Sequence, residues 1–222
     1  MKLFNAKKLF LFIIFTLVFS QIYSQPSVQK TQNGSVESKS TINWISRDFV
    51  SNLSLDAQKL QVQLPSGKKI ASKHINSKMP QLIQQPLLSL FADSESTLSD
   101  QVINGNISLD NIFAFITSGY KTQDIFSHDL KTLNSTNTTN VNNIGKLLVK
   151  HDYAFKPEQP IDVVSTRAFS GIIIDARGAL HVHGEYISDD TYPCFFPKIW
   201  DDQMNVIFEK NSVNPDFVKN NG

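Results

Sequence analysis

Three places in the chain carry residues whose types could do chemistry. The first is Asp175, which closes the run Ile172-Ile173-Ile174 and stands two residues before Arg177. A carboxylate at the end of an apolar strand suits general acid or base work if a partner group shares its cleft. The same spacing suits a pair in which Arg177 neutralises it, and this reading needs only a turn. The second is His181-Val182-His183, followed by Glu185, Asp189 and Asp190. Residues i and i+2 of a strand face the same side, so both imidazoles could reach one ion, with an acid as third ligand. Against a metal stands the lack of HExxH or any other zinc spacing. The third is Asp201-Asp202, an acidic pair that turn chemistry explains better than calcium, which needs more oxygen ligands. The one cysteine, Cys194, cannot form an internal disulfide. Its neighbours Pro193, Phe195 and Phe196 point to burial as an inert thiol rather than to a nucleophile.

Those residues have to be positioned by elements. Val163 to Asp175 reads as a strand, with continuous apolar residues near Ile172–Ile174 as in a central strand covered on both faces. Arg177-Gly178 makes the turn after it, and LHVH pairs back. A strand, a turn and a strand follow across 195–209, and VNPDFVKNNG reads as a short helix with Gly222 past its end. Upstream, alternation across 42–55 predicts a strand or hairpin. Ile70, Ile75, Met79, Leu82, Leu87 and Phe91 recur at helical steps, so a helix is expected over 67–91. Pro80 and Pro86 fall inside it, which predicts a kink or two helices in series. Ser108 caps a second helix over 108–118, and Asn142 or Asn143 a third, short one. Residues 120–131 read as a strand running into a loop, NSTNTTNVNN. Together these elements give an α+β fold, a mixed or antiparallel sheet with helices packed on one face.

The chain has 222 residues, 41% hydrophobic and 18% charged, with a net charge of +1. No global field attracts nucleic acid or an anionic membrane, and a nucleic-acid partner is not expected. No nucleotide-phosphate, dinucleotide or serine-nucleophile fingerprint is present, and no cofactor is called for. Lys2, Lys7 and Lys8 flank the short apolar run Leu9–Ser20. That is the layout of a secretory signal peptide, too short to cross about 30 Å of hydrocarbon as a permanent span. Residues 1–24 are read as this signal, 25–40 as a polar flexible linker, and 41–222 as one α+β domain with no transmembrane span. The expected location is the periplasm.

SGIIIDARG and then FPKIWDDQMNVIFEKNSVNP resemble a spirochaetal family of secreted, periplasmic proteins. INWISRDFVSNLSLD, LPSGKKIA and PLLSLFADSESTLSD are also similar to its members. The C-terminal motif is distantly similar to the flagellar assembly lipoprotein P family, found in rings around the flagellar motor. The resemblance implies a non-enzymatic structural or interaction protein, part of a motor-associated ring or collar. Its partners would be other periplasmic or motor proteins, with self-association possible. It implies no catalytic residues. Gly171, Asp175, Arg177 and Gly178 would shape a strand-to-turn junction, and Pro197, Lys198 and Asp201 the hairpin after it. The chain departs from the lipoprotein branch in lacking a lipid-accepting cysteine near the cut, and its early end reads as a shortened family member. Two other functions stay open on the residues. One is a metal-dependent or hydrolytic enzyme built on His181 and His183. The other is a small-ligand or glycan-binding module, which would need Trp44, Tyr192 or Trp200 in a pocket rather than in the core, where they are expected.

Overall fold

The computed structural model describes residues 28–63, 65–155, 173–182, 185–201 and 203–221. Its centre is an antiparallel sheet of six strands. In chain order these are β1 (Gln29–Asn33), β2 (Val36–Asn43), β3 (Asp48–Asp56), β5 (Tyr120–Lys121), β6 (Ile125–Phe126) and β7 (Thr132–Asn140). They lie in the order β1-β2-β3-β7-β5, and β6 pairs with β7 beside β5. The turns have clear causes. Gly34 takes φ +64° between β1 and β2, a conformation that costs glycine nothing. Asn43 Oδ1 accepts from the amides of Ile45 and Ser46 at 2.9 and 3.1 Å, folding the chain back into β3.

One face of this sheet is covered by α1 (Lys68–Leu88), which buries Ala71, Ile75, Leu82, Ile83 and Leu87. The covered face is unusual in composition. At one end Val36, Leu55 and Leu133 stand side by side and pack with Leu53, Ala71, Ile75 and Leu82. In the middle the inward residues are Ser40, Ser51 and Asn137, all buried and aligned across three strands. Ser40 and Ser51 share a hydrogen bond of 2.8 Å, and Asn137 Nδ2 donates to the Ile116 carbonyl at 3.3 Å. Beyond this polar row Phe49 opens a second apolar cluster. Each fully buried leucine or isoleucine here contributes about 1.5–3 kcal/mol. Small polar residues in the middle of the face let the elements above approach closely. A Cβ on Gly119 would sit 2.4 Å from Thr139 Oγ1 and 2.7 Å from Asn137 Oδ1.

The second cluster is roofed by α2 (Leu98–Ile103), α3 (Leu109–Thr117) and α4 (Asn142–Leu148). Leu98, Ile112, Phe115, Ile116, Ile144 and Leu148 are buried there with Ile83 and Leu87 of α1. The C-terminal part of the chain closes it. β4 (Phe91–Asp93) runs parallel to β10 (Cys194–Phe196), with Cys194 opposite Phe91 and Phe196 opposite Asp93. Phe196 and Val218, the latter on α5 (Pro215–Asn221), enter the same core. His151 Nε2 lies 2.9 Å from the Val213 carbonyl, and the Phe155 amide donates to the Asn211 carbonyl at 2.7 Å. Two small hairpins complete the described chain: β8 (Leu180–His181) with β9 (Ser188–Asp189), and β11 (Ile199–Trp200) with β12 (Val206–Phe208).

The α+β class and the helix-covered sheet are as the sequence leads one to expect. Several elements differ. Residues 25–40 are not a linker where they are described, because β1 and most of β2 lie within 29–40. The stretch NSTNTTN is not a loop but most of β7, a central strand. Both errors have one cause: beyond Val36 and Leu133 the buried positions carry Ser38, Ser40, Ser135, Asn137 and Thr139, so no apolar alternation marks the strands. The expected strand over 120–131 is two short pieces, β5 and β6. Pro80 and Pro86 lie inside one helix that runs without a break from Lys68 to Leu88. Of the expected strand 163–176, residues 163–172 lie outside the described residues. Ile173 and Ile174 are in no strand and are 98% and 56% exposed, so the isoleucine run is not sheathed on both faces. Among the described residues the segment 179–184 contributes β8, which pairs forward with β9. Residues 183–184 lie outside the described residues, as does Gly222 beyond α5.

Candidate functional site

The C-terminal part of the chain and β4 enclose an open cleft of about 1070 Å³. Asp93 and Ser94 line one side, Asp175 and His181 another, and Tyr192 and Trp200 its aromatic wall. Several elements build it. The parallel β4–β10 pair is the base, because it anchors Cys194–Phe196 to the core. Lys198 ties the next residues down: its amide donates to Ser94 Oγ at 2.9 Å and its ammonium meets Glu95 at 2.8 Å. The loop that receives it is itself ordered by Asp93, whose Oδ1 accepts from the amides of Glu95 and Ser96 and from Ser96 Oγ at 2.8–3.0 Å. Beyond it Thr97 and Asp100 cap α2 reciprocally.

Asp175 is clamped by Arg177, whose Nε and Nη2 donate to its two oxygens at 2.8 and 2.6 Å. The arginine side chain first, and its backbone amide second, hold this carboxyl below the ordinary range. A carboxylate so held is no proton donor near neutral pH. Gly178 follows with φ +77°, the turn that brings the chain round to β8. Both members of the pair are exposed, so the clamp shapes the turn and adds little to stability.

Lys198 is held protonated above its ordinary range, first by its hydrogen bond to Glu95 and then by the charges of Glu95, Asp93 and Glu209, against the opposing effect of desolvation. It is thus a cross-brace to the N-terminal part more than a member of its own hairpin. Pro197 lies beside it on the cleft wall. Asp201 organises the β11–β12 turn: Oδ1 accepts from the amides of Gln203 and Asn205 at 2.9 and 2.7 Å, and Oδ2 from Asn205 Nδ2 at 2.9 Å. Gly171, His183 and Asp202 lie outside the described residues. His181 is exposed on the cleft, and among the described residues no group of three or more His, Cys, Asp or Glu could hold a metal ion.

Cys194 is half-buried, and burial together with the charge of Asp93 pushes its thiol up to about 11. It is neutral at physiological pH and a weak nucleophile. The tryptophans and Tyr192 are not in the core. Tyr192 stacks on Phe91 with ring centroids 6.2 Å apart and planes at 24°. Trp44 meets Phe195 edge-on at 5.3 Å and lines a smaller hollow of about 210 Å³ with Tyr192 and Pro193. Trp200 stands half-buried on the large cleft. They stay at the margins because the core is filled by aliphatic residues of α1 to α4.

Sequence reasoning passed over Asp93, Ser94, Glu95 and Thr191. The first three had a readable signal: Asp93-Ser-Glu-Ser is an Asx turn leading into the capping pattern Thr97-x-x-Asp100. Thr191 had none, for its place on the cleft depends on how the C-terminal part docks.

Residues 35–147 match the family model described as Treponema pallidum Tp0624, N-terminal domain, and residues 171–222 match that of the Tp0624 second domain. The first match alone takes in half of the chain, and the chain belongs to this spirochaetal family. No curated protein matches it. The first match spans β2 to α4 with the Phe91–Ser94 side of the cleft, and the second takes in the rest of the cleft wall, β8 to β12 and α5.

Proposed function

We propose that this member of the spirochaetal Tp0624 family is a non-enzymatic interaction protein of the periplasm, presenting its C-terminal part to another envelope protein. One observation carries the reading. Between 173 and 207 the chain exposes Ile173, Ile174, Tyr186, Ile187, Met204 and Ile207, each at least half exposed. Large apolar side chains exposed at short intervals along the chain suit a surface that a protein partner covers. The N-terminal part supplies a rigid base, and the β4–β10 pair with the Lys198–Glu95 brace fixes that stretch to it. The acidic groups support this reading too, since Asp175, Asp201 and Asp93 are engaged in turns and pairs.

The assembly we propose is a ring or collar at the flagellar motor. Support for this comes only from the distant similarity of the C-terminal motif to the flagellar assembly lipoprotein P family, and not from the family match. The apolar run at Leu9–Ser20, behind three lysines, supports export to the periplasm. The test is fractionation of the native host with the chain tagged near Gly222, followed by cross-linking in intact cells and identification of the captured proteins. Recovery of periplasmic ring or motor components is the expected result. A monomer that fractionates alone, with no cross-linked product, refutes the reading.

A further inference from the structure

The cleft has the size and lining of a ligand site, whichever protein the exposed stretch meets. At about 1070 Å³ it is just larger than most small-molecule pockets, which run from about 300 to 1,000 Å³. Its wall has two kinds of group. Tyr192 and Trp200 are half-buried rings, and Tyr192 is held in place by its stack on Phe91. A ring already fixed loses little freedom when a ligand lies on it. Beside Tyr192 runs Asp189-Asp190-Thr191, exposed at the cleft. Asp189 accepts one backbone amide, from Asp190 at 2.8 Å, and Thr191 Oγ1 donates to the Ala176 carbonyl at 3.2 Å. Most of the acceptor capacity of these three side chains is left for a ligand that donates.

Charge narrows the class. Lys198 is the one cation on the wall among the described residues, and Glu95 already holds it at 2.8 Å. An anionic ligand would meet Asp189 and Asp190 without relief. A metal ion would want several carboxylates converging, and among the described residues no group of three or more His, Cys, Asp or Glu could hold one. An organic cation would meet only Asp189 and Asp190, since Asp175 is taken by Arg177 and Asp93 by its own loop. What remains is a flat apolar surface beside strong hydrogen-bond acceptors. A pyranose ring matches this with one face of C–H groups and a rim of hydroxyl donors. We infer that the cleft binds a neutral oligosaccharide, its rings against Tyr192 and Trp200 and its hydroxyls on Asp189, Asp190 and Thr191. The inference stands apart from the partner reading, since sugar binding can be present or absent with either outcome of the capture experiment.

The chain has two tryptophans, so Trp44→Phe leaves Trp200 as the sole indole reporter. Fluorescence of this variant is titrated with the N-acetylglucosamine trimer and with maltotriose. Spermidine and triglutamate serve as the cationic and anionic probes. A saturable change with at least one neutral trisaccharide is expected. Asp189→Asn with Asp190→Asn, both exposed at the end of β9, should weaken it roughly tenfold, as loss of charge-assisted hydrogen bonds does. Circular dichroism checks that this double variant is folded. The inference is overturned by no saturable response to either sugar, by a response confined to spermidine or triglutamate, or by sugar affinity that the double variant leaves unchanged.

Discussion

Cys194 shows how a residue type that could do chemistry is silenced by its setting. Its thiol is half-buried beside Asp93, and both effects favour the neutral form, up to about pH 11. Alkylation by iodoacetamide at pH 8 should therefore be at least tenfold slower than for the unfolded chain, and should accelerate toward pH 11. Rates measured by mass spectrometry check this, and equal rates in native and denatured protein would contradict it. The linkage has a definite sign. The unfolded thiol ionises near its ordinary value of 9.0 and the folded one later, so this group lowers stability as pH rises from about 9 toward 11. Asp175 is silenced in the opposite direction, by an arginine two residues away. That arrangement was legible in the sequence, because Asp-x-Arg-Gly carries the clamp and its turn within four residues. The setting of Cys194 was legible only in part: Phe195 and Phe196 announced an apolar neighbourhood, but Asp93 reaches it through a strand pairing across a hundred positions.

At the scale of elements, local rules decided the caps and tertiary packing decided the rest. Thr97 Oγ1 accepts from the Asp100 amide at 3.2 Å, and Asp100 Oδ2 accepts from the Thr97 amide at 2.8 Å. Thr97→Ala should cost about 1 kcal/mol in urea unfolding. The backbone and side chain of Thr97 hold the Asp100 carboxyl below its ordinary value of 3.8. Its contribution is therefore present above that value and fades as pH falls through the depressed one, so the penalty of Thr97→Ala should shrink in strong acid. A penalty that persists unchanged there would contradict the reciprocal cap. α1 obeys the rules less well. It carries Pro80 and Pro86 in its interior, each removing an amide donor, yet it continues because its apolar face covers the sheet. Pro80 is half-buried, so Pro80→Ala should raise stability by about 1–2 kcal/mol, the regained helix bond being partly offset by a freer unfolded chain. A lower denaturation midpoint would refute this. The same contrast explains what could be read in advance. The helices were visible from apolar spacing and from Ser108. β1, β2 and β7 were hidden because Ser38, Ser40, Ser135 and Asn137 occupy positions that normally advertise a strand with valine or isoleucine.

Across the whole molecule, the two stretches that match separate family models share one core. Phe196 and Val218 come from the second stretch and are buried among Leu148, Val149 and Ile144. Phe196→Ala should destabilise by about 3–5 kcal/mol and lower a single cooperative transition. A second, independent transition of the C-terminal part would contradict the shared core. This docking ties Cys194–Lys198 to the core, and it could not be read from the sequence, since no local pattern pairs Cys194 with Phe91. On the function proposed above, the exposed surface of residues 173–207 meets an envelope partner. The most direct measurement is site-specific photo-cross-linking in intact host cells. A photoreactive residue replaces Tyr186, at the tip of the β8–β9 hairpin, or Ile45, 95% exposed on the β2–β3 turn. A discrete cross-linked species containing a second envelope protein is expected from position 186, and none from position 45. Equal products from both positions, or none from position 186, would contradict it.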